Sequence, residues 1–264
     1  MQIICASICY RGYGEDEVAA TLQYGAAVGY QYMEIHGPLT WSVEAVAAFG
    51  LPSVRSALSS SGLQCVGIYG PGWGGTDEED TRKHARALAD CVGLVEALGG
   101  DHVTSTGVGA QGDAQALARV TQCVRGVLDE MAPSSPVRLC LEPHYGNVLQ
   151  EPADFQKVLG GWDDPRVGLC VDTGHFHSAQ VDTVGFIRQW GPRLYNVHLK
   201  DHLGTVSVGI GRGEIDLAAM VAALREVGYQ GGLTVELEVA DPENLPRYTE
   251  EAYHYLSGLL GTKL

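Results

Sequence analysis

Positive charge is scarce in this sequence: 17 Lys and Arg stand against 32 Asp and Glu among 264 residues, for a formal net charge of -15. A surface that binds a polyanion is normally built from Lys and Arg that displace counterions, so no nucleic acid partner is expected. No apolar run approaches the ~18 residues of a membrane span, so no membrane partner is expected either. The opening residues, MQIICASICYRGYG, lack the basic region and long apolar stretch of a secretory signal and alternate like a strand. A cytoplasmic location is the default expectation. There is no CxxC pair. The seven cysteines, at 5, 9, 65, 91, 123, 140 and 170, are scattered and mostly flanked by apolar residues, which reads as reduced core positions and not as structural zinc or redox chemistry. No GxGxxG turn follows the first apolar run, and no Gly-rich phosphate cradle with a dedicated Lys stands out, which slightly favours a free sugar or keto-sugar over a phosphorylated one.

What is present is a regular alternation. Short β-branched or apolar runs at 2–8, 31–35, 64–69, 101–106, 137–142, 166–172, 193–198 and 232–236 read as strands. Between and after them, segments near 15–28, 43–61, 78–98, 113–131, 152–160, 179–190, 216–227 and 243–260 carry helical periodicity. In the seventh of these Asp216 can cap, Leu217, Met220, Val221 and Leu224 share one face, and Gly228 stops the helix. The chain divides into eight units of 33 residues, close to the ~30 that a βα pair needs. Eight such units predict one α/β domain over 1–264, a (β/α)8 TIM barrel, because they favour closure over an open doubly wound sheet. The loops IYGPGWGGTDEED and ELEVADPENLP, rich in Gly, Pro and acids, then fall on the face where barrels keep their sites.

Four successive strands end in a cation-binding type of residue: Glu142 in LCLEPH, Asp172 in LCVDTGH, His198 in NVHLKD and Glu236 in LTVELE. The gaps between them are 30, 26 and 38 positions, yet adjacent strand ends of a barrel converge on one half of its mouth. Burying three carboxylates together without a cation or a proton would cost several kcal/mol. The set therefore predicts one divalent metal ion, Mn2+ first, with Mg2+, Co2+ or Zn2+ as alternatives. Strand parity places Cys140, Cys170, Asn196 and Thr234 in the layer beneath, with Asn196 free either to hydrogen-bond upward or to pack.

The strand ends, together with DTGH at 172–175, HLKD at 198–201 and GIGRGEID at 209–216, resemble the xylose isomerase-like superfamily of sugar isomerases, epimerases and related lyases over the whole chain. The resemblance implies a small carbohydrate substrate. In the ketose 3-epimerases it implies that Glu142 and Glu236 both bind metal and exchange protons with substrate, that Asp172 and His198 act as ligands only, and that His175 touches substrate oxygens. Isomerase or epimerase chemistry on a ketose is the first expectation, and a lyase of the inosose dehydratase type is the alternative. An arginine is expected soon after the metal-binding His of an epimerase, but here the nearest is Arg212. A DNA-repair endonuclease shares this barrel, but it needs further histidines where this chain has Tyr69, Ser105 and the GRG at 211–213. A non-catalytic sugar-binding barrel is a further class.

Weaker substrate candidates are Lys200 and Arg212, with a loop salt bridge as the competing role; His144, two residues past Glu142; and Trp73 and Tyr10, which can stack on a sugar or simply pack. Glu34, at the end of the second strand with His36, is a further candidate in the mouth. His102 and His177 read as surface or packing histidines. Assembly into a homo-oligomer is compatible with this reading.

Overall fold

The computed structural model describes residues 1–14, 16–160 and 163–261. Eight parallel strands close a barrel: β1 (Gln2–Ala6), β2 (Tyr32–Ile35), β3 (Gln64–Tyr69), β4 (His102–Thr106), β5 (Arg138–Glu142), β6 (Val167–Asp172), β7 (Leu194–Leu199) and, beyond a small antiparallel hairpin of β8 (Asp201–Leu203) and β9 (Val206–Val208), β10 (Gly232–Val235). Closure joins β1 to β10, with Gln2 opposite Gly232. Aspartates start most of the surrounding helices. Asp77, Asp113, Asp182 and Asp216 each accept a backbone N–H two or three residues on, satisfying donors that a helix N-terminus leaves free. Gly228, at φ +74°, follows the helix Leu217–Glu226 in the left-handed region that favours glycine.

The expected elements are all found, with four departures. The helical segment expected from 15 begins outside the described residues at Glu15, and within it Thr21–Gly25 widen into a π turn. The segment 43–61 is two helices, Val43–Ala47 and Leu51–Ser61, because Gly50 leaves helical geometry and Pro52 can join only the first turn of a helix. The helix expected at 179–190 starts earlier, as a short turn at Thr173–Ser178, then restarts at Thr183–Trp190. The hairpin β8–β9 lies inside what reads in sequence as a plain loop.

The apolar core sits between the outside of the barrel and its helices, where Leu88, Val95, Val124, Phe155, Phe176 and Leu224 are fully buried. All seven cysteines are free and buried. Inside the barrel the packing is polar. Register pairs Thr104 with Cys140 and Cys170 with Asn196, and Glu34, Asn196 and Thr234 complete a buried middle layer. Among the described residues no helix is long and apolar enough to cross a membrane.

Candidate functional site

Four strands of the second half bring their ends to one place. Glu142 and Asp172 close β5 and β6, His198 lies near the end of β7 opposite Asp172, and Glu236 follows β10 directly. One ligand-type atom from each lies within 4.8 Å of the other three, and none of the four is more than 2% exposed. His198 Nδ1 is 2.5 Å from Glu142 Oε1 and 2.9 Å from Glu236 Oε2. Asp172 Oδ2 and Glu236 Oε2 are buried without a well-directed hydrogen bond. Buried oxygens left short of partners, with an imidazole nitrogen aimed among them, fit a divalent cation held by oxygen and nitrogen ligands.

The local sequence explains this placement. Asp172 ends β6 and also caps the next turn, its Oδ1 accepting from His175 N at 2.8 Å, so Oδ2 is the oxygen left over. Thr173 Oγ1 donates to Lys200 O at 2.6 Å and accepts from Lys200 N at 2.8 Å, tying the DTGH turn to β7. Gly174 has no room for a side chain, since a Cβ would meet His202 Nε2 at 2.5 Å and Lys200 Cβ at 2.8 Å. Asp201 of HLKD pins the loop beyond it: its Oδ2 accepts from Gly211 N at 2.9 Å and Gly213 N at 2.8 Å.

Lys200 is the cation among these acids. It is 1% exposed, and its Nζ lies 3.1 Å from Asp172 Oδ2, 3.0 Å from Glu236 Oε1 and 2.8 Å from Glu238 Oε2. Burial works against its charge, but these three carboxylates hold its pKa well above the ordinary value. Burial pushes the Glu236 carboxyl up to about 7 against the pull of Lys200 and His198, and a bound cation would pull it down again. Burial, then the Lys200 charge, takes His175 down to about 3, so its neutral ring accepts from Lys200 Nζ across 3.1 Å.

A cavity of about 370 Å³ opens above the cluster and is lined by His144, His175, Lys200 and Glu236 among others. The rings of His144 and His175 lie 3.9 Å apart between centroids. A groove of similar volume, about 360 Å³, runs past Leu117 and Lys157 on the outer surface, away from this cluster.

Three expected substrate contacts are not in the cavity. Trp73 is fully buried and donates from Nε1 to Cys140 O at 3.3 Å, because the third loop bridges to Gly107 and tucks the indole against the barrel. Arg212 faces outward over Tyr248 and pairs with Glu251, since the backbone around it is fixed by Asp201. Glu34 is fully buried beneath the cluster, bonded to His198, His102 and Asn196. Tyr10 is also buried, against the rings of Tyr13 and Tyr24. His102 proves to be a buried residue inside the barrel, whereas His177 pairs with Glu214 near the surface.

Of the other cavity residues, the sequence named Tyr69 and His36 only by position and did not single out Trp41, Arg11 or Glu238. Tyr69 donates its hydroxyl to Glu142 Oε2 at 2.5 Å and stacks on His36, centroids 3.9 Å apart and 6° from parallel. Trp41 stands edge-on to His36 with Arg11 over its face at 4.4 Å. Glu238 completes the wall beside Lys200. His36 and Glu238 lie two residues beyond Glu34 and Glu236, so strand parity carried a signal for both; Trp41 and Arg11 sit in loops with none.

The pattern of the xylose isomerase-like TIM barrel family matches residues 22–258. Inosose dehydratase from Klebsiella pneumoniae is 28% identical over 159 residues, 51% of this chain and 52% of that protein, and the one from Geobacillus thermodenitrificans is 26% identical over 155 residues, again 51% and 52%. This chain thus spans about half the length of the dehydratases it matches. Among solved structures, the IOLI protein with a bound zinc atom aligns at TM-score 0.78 and 17% identity over 100% of this chain and 99% of that one. D-allulose 3-epimerase from Methylomonas sp. aligns at TM-score 0.79 and 17% identity over 98% of each; at such identity these two share the fold and nothing finer. With the family pattern running through all but the ends of the chain, this protein belongs to the xylose isomerase-like TIM barrel family.

Proposed function

We propose that this chain is a metal-dependent enzyme that removes the proton beside the carbonyl of a small keto-sugar or keto-cyclitol and then expels water, as a carbon–oxygen lyase. Glu142, Asp172, His198 and Glu236 would hold the cation; their mostly oxygen donors favour Mn2+, with Mg2+, Co2+ or Zn2+ as alternatives. When bound, the ion supplies Lewis acidity for the negative charge that develops as the α-proton leaves. Either Glu142 or Glu236 takes that proton, and the C–H electrons form the new double bond. The β C–O bond then breaks, its electrons leaving with the hydroxyl, which takes a proton from the Lys200 ammonium.

The observation that carries this reading is the third acid. Lys200 Nζ reaches into the cavity 3.0 Å from Glu236 and 3.1 Å from His175, which gives the site a proton donor beyond its paired carboxylates. The similarity to inosose dehydratases supports the same outcome. Epimerisation or isomerisation of a ketose is the second reading, and the pairing of Glu142 and Glu236 around His198 Nδ1 favours it, because two carboxylates suffice to remove and return one proton.

Mass spectrometry of ketoses and keto-cyclitols incubated with Mn2+-loaded protein in D2O separates the two. A main product lighter by one water is expected. A product of unchanged formula carrying deuterium would replace the lyase reading with the second. No turnover of any compound with Mn2+, Mg2+, Co2+ or Zn2+ would sink both.

A further inference from the structure

Beneath the mouth a file of charged and polar side chains runs through the barrel. His198 Nε2 is 3.0 Å from Glu34 Oε1, His102 Nε2 is 2.9 Å from Glu34 Oε2, and His102 Nδ1 is 2.6 Å from Asp101 Oδ1, where the file reaches solvent before β4. Position 67 has given up its side chain to admit it, since a Cβ there would meet His102 Nε2 at 2.1 Å. Both carboxylates face His102, whose pKa they raise to about 9 against burial. A cationic His102 therefore offsets the buried charge on Glu34.

The two nitrogens of His198 face opposite ways, Nδ1 toward the cluster and Nε2 toward Glu34. Asn196 Nδ2 lies 2.8 Å from Glu34 Oε2, 3.0 Å from Thr104 Oγ1 and 3.0 Å from His198 Nε2, three neighbours for its two hydrogens. Its Oδ1 accepts from Thr234 Oγ1 and Val197 N. A cation on Nδ1 needs that nitrogen's lone pair and leaves the ring proton on Nε2, where Glu34 Oε1 at 3.0 Å is the carboxylate acceptor. Nδ1 faces Glu142 and Glu236, the carboxylates that would share the cation with it.

We propose that Glu34, held in place by His102 and Asn196, is the positioning residue for the metal site: by accepting the Nε2–H of His198 it presents Nδ1 to the cation. Glu34 is fully buried and does not line the cavity, so it acts through His198. A carboxylate behind a ligating imidazole fixes its tautomer and orientation and raises its basicity, and loss of such a partner typically costs about 10- to 100-fold in metal affinity. The inference rests on the metal reading above.

The test compares Co2+ binding to wild type and Glu34→Gln, by titration and by the visible bands of the bound ion, after chelation of both proteins. Wild type is expected to take one Co2+, and the folded variant to bind it about 10- to 100-fold more weakly with altered bands, at a temperature where both are folded, since the loss of the His102 ion pair lowers the variant's melting temperature. Equal affinity and identical bands would overturn the proposal. If wild type binds no Co2+, the metal reading fails and takes this one with it. Should Glu34→Gln not fold, 15N NMR of the Zn2+-loaded wild type decides: a proton on His198 Nε2 is expected, and a proton on Nδ1 overturns the proposal.

Discussion

The two halves of the barrel mouth are built on different principles. The second half, from β5 to β10, is charged: Glu142, Asp172, His198, Lys200 and Glu236 are almost fully buried and hold one another within hydrogen-bond distance. The first half is aromatic: His36 stacks on Tyr69, Trp41 stands edge-on to His36, and Arg11 covers Trp41. A charged group out of water is expensive and must be held in one geometry, whereas a ring gains from any apolar face laid on it. On the function proposed above, chemistry falls to the second half and grip on the substrate to the first. The halves meet at the bond from the Tyr69 hydroxyl to Glu142 Oε2 and at the pair of Arg11 with Glu238.

The largest expected effect tests the charged half. Glu236→Gln keeps the shape of the side chain but cannot accept a proton, so turnover should fall by at least ~100-fold, and Glu142→Gln should do the same. Because both residues sit in the metal cluster, the ion content of each variant is measured beside its rate. A variant with full activity at full metal content would remove the two-carboxylate assignment and leave the comparison without its chemical half.

The halves also differ in how plainly the sequence announced them. Glu142, Asp172 and Glu236 each end a β-branched or apolar run, and eight runs at regular spacing imply that such ends share one rim; the barrel and the convergence of the four residues were legible for that reason. The rest depended on contacts between distant segments. Tyr69 reads as an ordinary strand end, and its partner Glu142 is 73 positions away. Trp41 lies in a loop with no periodicity. Trp73 and Arg212 looked like ligand contacts because aromatic and basic residues in Gly-rich loops often are, but their partners, Cys140 O and Glu251, cannot be foreseen from spacing. His102 looked like a packing histidine because a single imidazole at a strand start carries no sign of the carboxylates on either side of it.

A smaller effect is expected in the aromatic half. Trp41 is 37% exposed and lines the cavity, so Trp41→Ala should raise KM about 5- to 10-fold, the scale of one stacking contact, and leave kcat within about 3-fold. Steady-state kinetics on the best substrate from the product screen measures both. A drop in kcat equal to that of Glu236→Gln would erase the division of labour between the halves.

The smallest effect sharpens the comparison from below, because the charged half stands on the His102–Glu34 file and the aromatic half does not. The folded-state pKa of His102 is raised to about 9 from the ordinary 6.5, against burial, by its bonds to Asp101 and Glu34. A raised histidine stabilises the fold in full below its unfolded pKa, and that contribution is lost as pH climbs through the folded one. One pKa unit corresponds to about 1.4 kcal/mol, but Asp101 is 78% exposed, and solvent screening trims the total to on the order of 1 kcal/mol. Urea unfolding of wild type and His102→Asn should therefore show a stability gap that is widest near pH 6 and narrows between about 6.5 and 9. The gap between wild type and Trp41→Ala should not change over the same range, since no titrating contact is removed with that ring beyond its edge to His36, whose pKa burial and the His198 charge hold well below the window. A His102 gap that stayed constant with pH would mean that the file beneath the site carries no ionic link, and that Glu34 is neutralised by other means.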